Sequence, residues 1–278
     1  MPDRTVLITG AARGIGRATA LHLAGEGWTV LAGVRRAQDG EGLREAGVRP
    51  LVLDVTDAAQ VAELETALPE RLDAVVNNAG IVVSGPVEGV PLDAWRHQLE
   101  VNLIGQVAVT QAVLGRLRAS RGRVVFVSSL SGRVATAMSG PYSASKFALE
   151  AMADALRLEV RPWGVGVVLI EPAQTDTDLW RKAEAALDAD LDRMTAAHRE
   201  LYAGHIEGAR RTIPRAQKLA TPVEGVVAAI ERALTARRPR ARYVVGRSPQ
   251  VQAVLARLMP TPVLDAALRA ASGVPRRV

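Results

Sequence analysis

Short, nearly unbroken apolar runs alternate with stretches of helical character from the first residues onward, and this alternation narrows the fold more than any other feature. Residues 5–9, 29–34, 50–55, 73–77, 123–128, 165–171 and 242–245 read as strands. A strand with one wet face alternates apolar and polar residues; these do not, so both faces are expected to be covered, as in a parallel sheet. Helical segments stand between them at 14–26, 38–46, 57–68, 92–118, 142–161 and 223–236. The pattern predicts an α/β fold: a Rossmann-type, doubly wound parallel sheet of about seven strands with helices on both faces. Ligands of such sheets bind beyond the carboxyl ends of the strands, where the winding reverses.

The whole chain, 1–278, fits one such domain. Between 174 and 221 the pattern loosens into polar helical stretches, 179–187 and 191–204. Unpatterned segments of this length are usually functional, so it is expected to be a substrate flap, hinged near Pro172 and Pro214, with Trp180 and Tyr202 as its aromatics. A helical extension follows at about 248–278. Its stripe Val251, Val254, Leu255 and Leu258 is expected to pack in the core, with a pocket, an interface or a membrane surface as alternatives.

Composition excludes several classes. Hydrophobic residues make up 48% of the chain, enough for a sizeable core, and there is no cysteine. Disulfides, thiolate catalysis and cysteine zinc sites are therefore ruled out, and a reducing, cytoplasmic setting is expected. No apolar run approaches the ~20 residues that cross a bilayer. The sequence enters its first strand within a few residues of Met1, leaving no room for a signal peptide. Net charge is +6, with Arg237, Arg238, Arg240, Arg242, Arg247, Arg276 and Arg277 clustered late. No aromatics interleave with them as a stacking platform would need, so no nucleic-acid partner is expected. His22, His97, His198 and His205 lack acidic partners at metal or triad spacing, and no metal site is predicted. Asp176 and Asp178 are read as caps of the next helix.

Residues 9–16, Thr-Gly-Ala-Ala-Arg-Gly-Ile-Gly, join the first strand to the first helix. Gly10, Gly14 and Gly16, with Ala12, Arg13 and Ile15 between them, form a turn through which a pyrophosphate approaches backbone and the helix-start N–H groups meet its charge. At the end of the second strand a carboxylate would grip a ribose hydroxyl, whereas an arginine accommodates a 2′-phosphate. Val34 is followed by Arg35 and Arg36, so NADP(H) is favoured over NAD(H). Tyr142 and Lys146, four residues apart, set a phenol and an ammonium on one helical face. The ammonium favours the phenolate and is expected to lower a group that ordinarily titrates at ~10.

As a set these segments resemble the short-chain dehydrogenase/reductase family over about residues 4–178. The resemblance implies that residues 9–16 are the family's glycine motif and that Asp54 and Val55 contact the adenine. Asn77, Asn78, Ala79 and Gly80 match the segment bordering the cofactor. Asn102, Ser129, Tyr142 and Lys146 match the catalytic positions, Tyr142 and Lys146 also touching the cofactor. Pro172, Thr175 and Thr177 match the segment that holds the nicotinamide amide, with Ala173 in place of its glycine. A softer likeness, in residues 30–33, 41–43 and 53–56, is to the retinol and hydroxysteroid dehydrogenase branch and implies an apolar alcohol or ketone. The implied activity is reversible hydride transfer between a nicotinamide cofactor and a small-molecule C–OH/C=O pair. Tyr142 would be the acid or base. Lys146 would tune it and hold the ribose. Ser129 would bind the substrate oxygen, with Ser128 and Ser131 as rivals. Asn102, poorly suited to a helix interior, would mark a kink holding a water. A non-catalytic dinucleotide sensor, an NAD-dependent alcohol dehydrogenase and an isomerase of related fold stand as alternatives. The helix at 142–161 is apolar nearly all round, so one face is expected on the sheet and another on a second subunit, giving a homodimer or homotetramer.

Overall fold

The computed structural model describes residues 4–275; residues 1–3 and 276–278, with Arg276 and Arg277, lie outside it, as do the side chains of Leu179, Trp180, Arg247, Ser248, Ala253 and Arg257. The chain runs β1 (Thr5–Ile8), α1 (Gly14–Gly25), β2 (Thr29–Val34), a 3-10 turn (Ala37–Gly40), α2 (Glu41–Arg44), β3 (Arg49–Val52), α3 (Ala58–Ala67) and β4 (Ala74–Asn77). Then come α4 (Leu92–Leu99), a π-helical turn (Glu100–Ile104), α5 (Gly105–Ser120), β5 (Arg123–Val127), α6 (Gly140–Glu159) and β6 (Gly166–Pro172). Four helices follow, α7 (Asp178–Arg181), α8 (Ala183–Asp192), α9 (Ala196–Leu201) and α10 (Ala203–Lys218). The chain ends with α11 (Val223–Thr235), β7 (Arg242–Val245), α12 (Arg247–Leu258) and α13 (Thr261–Ala271).

All seven strands pair in parallel, in the order β3-β2-β1-β4-β5-β6-β7. The winding reverses at β1, which pairs with β2 on one side and β4 on the other. The apolar runs have a direct cause. Successive strand residues point to opposite faces, and each face carries its own core. Val6 and Ile8 join Leu23, Trp28, Val226 and Ile230 under α1 and α11. Leu7, between them, joins Leu64, Val113, Leu117 and Leu149 under α3, α5 and α6. Only the edge strands are less enclosed. In β3 both end residues are exposed, and Pro50, which has no N–H to give a neighbour, sits there as edge prolines do.

Several expected boundaries shift. The second helix is a 3-10 turn plus a four-residue α2, because Gly40 packs so closely on Pro50 that a Cβ would lie 2.5 Å from that ring. The third strand stops at Val52, leaving Asp54 and Val55 in the loop above the sheet. The single long helix is three pieces, and its π-helical turn contains Asn102. Helix α6 begins at Gly140, with Pro141 in its first turn, where a missing N–H costs nothing. Neither expected hinge is a loop proline: Pro172 ends β6 and Pro214 lies inside α10. The segment 174–221 is mostly helical and has a small core of its own, Leu187, Leu191, Met194 and Ile206. Its ends are joined by a parallel bridge between Thr175 and Thr221.

The expectation that the α12 stripe packs in the core is overturned. Val251, Val254, Leu255 and Leu258 are 58%, 57%, 48% and 73% exposed. They share a helical face, but that face is turned away from β7, so periodicity located the stripe without saying what covers it. Among the described residues no helix is long and apolar enough to cross a membrane.

Candidate functional site

The turn after β1 is built by close approach. Gly10 and Gly14 hold φ angles of +64° and +56°, which side chains with a Cβ rarely adopt. A Cβ on Gly10 would stand 2.8 Å from the Ala79 Cα, and one on Gly16 2.4 Å from the Gly10 carbonyl oxygen. The turn is thus pressed onto the segment after β4. There the Asn78 amide donates to the carbonyls of Thr9 (3.0 Å) and Gly10 (3.1 Å). Thr9 Oγ1 accepts the N–H groups of Asn78 and Ala79, both at 3.0 Å. Thr9 is a scaffold residue that the glycine pattern hides. Helix α1 has no capping side chain and no acid in its first turn. Its orphan N–H groups therefore suit an anion, and this cradle fits a dinucleotide pyrophosphate. Gly80 faces the Asn102 amide, and Ile15 packs against the core beneath the turn.

Beside the turn, Arg36 is taken by Asp39 at 3.1 Å. Arg13 and Arg35 are exposed and make no ion pair among the described residues. Asp54 accepts the Thr56 N–H (3.0 Å) and hydroxyl (2.7 Å). Burial pushes that carboxyl up, but the two Thr56 bonds and the Arg35 charge outweigh it and hold it below the usual range. Val55 is buried next to it, against Gly105.

Ser129, Tyr142 and Lys146 converge at the carboxyl ends of β5 and β6. The Tyr142 hydroxyl is close enough to Ser129 for that side chain to lower its proton affinity, and Ser129 Oγ accepts the Ser131 N–H at 3.1 Å. Ser131 lends its backbone N–H, and Ser128 and Ser129 are both buried. Lys146 is buried, donates to the Val127 carbonyl at 2.8 Å, and lies 5.8 Å from the Tyr142 ring centre. The expected acidification of the phenol is not what this arrangement gives. Burial pushes Tyr142 up, opposed by the Ser129 hydrogen bond, and burial lowers Lys146 to about 8. Burial is the largest influence on both groups, because each loses water that stabilised its charged form.

Asn102 is fully buried and clamps the loop after β4. It accepts the Ile81 N–H at 2.8 Å, returns a bond to the Ile81 carbonyl at 3.0 Å, and reaches Ser145 Oγ at 3.2 Å. Ser145 donates to the Tyr142 carbonyl at 2.7 Å. The asparagine side chain is therefore spent on backbone, and the departure from α geometry is the π-helical turn. Gln98 and Gln106 pin the same loop through Ile81, Val83 and Ala79. Polar residues at buried helix positions were the available signal for them.

After β6, Thr175 is buried, and its hydroxyl donates to the Ala173 carbonyl at 3.3 Å. Thr177 lies 3.5 Å from where a Gly14 Cβ would be, so this segment meets the glycine turn. Ala173 has no positive φ, and the missing glycine causes no backbone strain. Asp176 and Asp178 both pair with Arg181, at 2.8 Å and 3.5 Å. No cluster of three metal-ligating side chains exists among the described residues. His22 does have an acid, Glu231 at 3.0 Å, brought from far along the chain where α1 packs on α11.

The segment 174–221 closes onto the loop before α4. Asp190 accepts the Ser84 N–H at 2.7 Å, the Tyr202 hydroxyl donates to Glu88 at 2.8 Å, and Arg193 meets Asp93 at 2.6 Å. Tyr202 is thus a latch and does not line a pocket; the Trp180 side chain lies outside the described residues. An open cleft of about 560 Å³ is lined by Ala135 and Ala137 and by the α13 residues Asp265, Ala266, Leu268 and Arg269.

Comparison with known proteins gives this geometry its context. A family model described as short chain dehydrogenase matches residues 4–188. An NADPH-dependent 3-dehydrocapnine reductase of Ornithobacterium rhinotracheale is 34% identical over 275 residues, covering 94% of this chain and 95% of its own. Retinol dehydrogenase 5 of Mus musculus is 35% identical over 280 residues, covering 96% and 88%. A short chain dehydrogenase from Burkholderia cenocepacia, solved in complex with NADP, superposes with a TM-score of 0.74 at 25% identity over 98% of each chain. With the fold, the glycine turn and the family match over most of its length, this chain belongs to the short chain dehydrogenases, oxidoreductases that act on C–OH/C=O groups with a nicotinamide dinucleotide.

Proposed function

We propose that the protein interconverts an apolar alcohol and its ketone with NADP(H), using Tyr142, Ser129, Lys146 and Asn102. One observation carries the reading: Lys146 is buried one helical turn beyond Tyr142, its ammonium 5.8 Å from the phenol ring centre and anchored on the Val127 carbonyl. When bound, the nicotinamide supplies or accepts the hydride. In the reducing direction Tyr142 gives its proton to the carbonyl oxygen; in the oxidising direction it takes the proton back. Burial keeps Tyr142 protonated, so the proton is present to be given. Ser129 donates to the same oxygen and stabilises the charge that develops there. Lys146 supports the phenolate left behind. Asn102 keeps the Ile81 loop and the start of α6 in register through Ser145. Gly10, Ala12, Arg13, Gly14, Ile15 and Gly16 would cradle the pyrophosphate, with Asp54, Val55, Asn78, Ala79 and Gly80 along the adenine and ribose side. Pro172, Thr175 and Thr177 would hold the amide.

Substitution Tyr142→Phe tests the chemistry. NADPH binding, read by cofactor fluorescence, should persist while turnover falls ~10³-fold or more, since one positioned acid contributes about that much. Turnover near that of the parent would end the reading. Preference for NADP(H) is supported by the unpaired Arg13 and Arg35 and by the NADPH-dependent relative. Arg13→Ala with Arg35→Ala should cut the NADPH-over-NADH ratio roughly tenfold or more, the scale of a charge-assisted phosphate contact; an unchanged ratio would remove the assignment. An apolar substrate is supported by the retinol dehydrogenase likeness, and the segment 174–221 would be its flap. Exposed Phe147 and Leu158 on α6 support a homodimer or homotetramer. The cysteine-free sequence supports a cytoplasmic setting.

A further inference from the structure

Directly behind the proposed catalytic group lies a buried set of charges that the reaction as described does not use. Glu150 stands one helical turn beyond Lys146 on the inward face of α6 and is 7% exposed. Arg242, from the last strand, donates to it at 3.0 Å and to Asp154 at 2.6 Å, and lies 3.3 Å from Glu171. Glu171 on β6 is fully buried and accepts Arg133 at 2.8 Å. Asp154 also meets Arg157 at 2.7 Å. Gly132 seals the assembly. A Cβ there would stand 3.0 Å from Glu150 Cγ and 3.1 Å from both the Lys146 carbonyl oxygen and Ser128 Oγ.

Burying a carboxylate this deeply is costly unless it is paired. A fold that needed only packing at this position would be served by an apolar side chain. Here the carboxylate is held by a cation from a strand that enters the sheet last, more than 90 residues away in sequence. Glu150 Oε1 and Ser128 Oγ are buried with no hydrogen-bond partner among the described residues, so Arg242 engages only one oxygen of the carboxylate. Among the neighbours of Glu150, only Lys146 is a cation without a carboxylate bonded to it.

We propose that Glu150, oriented by Arg242, is a positioning residue that keeps Lys146 in its cationic form behind Tyr142; this rests on the reading of Lys146 as part of the catalytic group. Two opposing influences act on Lys146: burial, the larger, favours the neutral amine, and Glu150 favours the ammonium. Glu150 is itself pushed up by burial and by Glu171, and held down by Ser128 and Arg242. Arg242 is thus needed to keep Glu150 ionised, and Glu150 to keep Lys146 charged. The groups facing Glu150 are then Lys146 and Asp154 on its own helix, Ser128 after β5, Arg133 in the following turn, Glu171 on β6 and Arg242 on β7. Removing the Glu150 charge leaves Arg242 with Glu171 and Asp154, so the fold has partners with which to survive.

The sequence makes a direct test practical. Lysine occurs only at 146, 182 and 218. Protein labelled at lysine Cε therefore gives three carbon resonances, and Lys146 is identified by loss of its signal in Lys146→Arg. In Glu150→Gln the Lys146 titration should move to lower pH by roughly one unit, the scale of losing one nearby opposite charge. The alkaline fall in kcat should move with it. Glu150→Asp, which keeps the charge, should restore both, whereas a purely structural role would leave the titration in place. Glu150→Met provides a second removal if glutamine disturbs packing. An unmoved Lys146 resonance in both removal variants overturns the proposal whatever the rates do. A moved resonance in protein that turns over no carbonyl supports it, and overturns instead the assignment of Lys146 to catalysis.

Discussion

Helix α6 and the segment 174–221 flank the same end of β6, yet different forces hold them. Helix α6 lies on the sheet with Leu149 and Ala153 fully enclosed in one of the two main cores, and its polar residues face inward to buried partners. The segment 174–221 has a core of four buried side chains and reaches the rest of the molecule through a few polar pairs, a two-residue bridge and the packing of Met194 and Met138. On the proposed reading, Tyr142 and Lys146, which would have to keep fixed distances, sit on the first. The proposed flap is drawn from the second, since low local stability is what permits opening.

The contrast is easiest to break in the cores. Leu149→Ala should cost about 3–5 kcal/mol in urea unfolding, because the sheet and α5 cannot collapse into the cavity. Leu191→Ala, in a small cluster free to adjust, should cost about 2 kcal/mol and leave exchange of the sheet amides unchanged. Equal costs would mean that the segment is as firmly built as the helix.

A second test uses charge. Lys146 titrates at about 8 in the fold and at 10.5 when unfolded. Below its folded value both states hold the proton. Between the two values only the unfolded chain does, so stability rises with pH over that interval. Carbonyl reduction needs the ammonium and should decline over the same interval. Activity and urea midpoint should thus diverge above pH 8, and Lys146→Met should abolish the rise in stability. Asp190, the buried acid of the latch, has the opposite sense: burial raises it, opposed by the Ser84 N–H and Arg193, so its contribution to stability falls as pH rises above the ordinary aspartate range.

The smallest effects belong to the latches. Tyr202→Phe should raise KM about threefold with kcat nearly unchanged, the effect of losing a neutral hydrogen-bond donor from a closing contact. Asp93→Ala, which removes an exposed pair with Arg193, should change stability by less than ~1 kcal/mol. A large loss of kcat in either would show that the segment takes part in the chemistry and not only in enclosure.

Much of this was legible because it depends on neighbours in sequence. The glycine turn, the Tyr142–Lys146 spacing and the apolar runs are short-range patterns, and each appears where expected. What failed to read was decided by partners far along the chain. Nothing near His22 announces Glu231 as its partner, and nothing near Glu150 announces Arg242. The α12 stripe shows the limit of periodicity, which finds an apolar face but not what lies against it. The direction of the Tyr142 shift failed for a related reason. Spacing gives the attraction of a neighbouring charge, whereas desolvation depends on how much of the whole fold closes over the group.

The amino-acid order alone determined the layered architecture, the dinucleotide cradle and the identity of the four matching side chains, because backbone periodicity and turn chemistry are local. Tertiary structure alone decided which serine meets Tyr142, how deeply Lys146 is buried, and that Arg242 of β7 closes on Glu150 of α6. Those depend on strand order, which brings distant residues into contact through burial of both faces of one sheet.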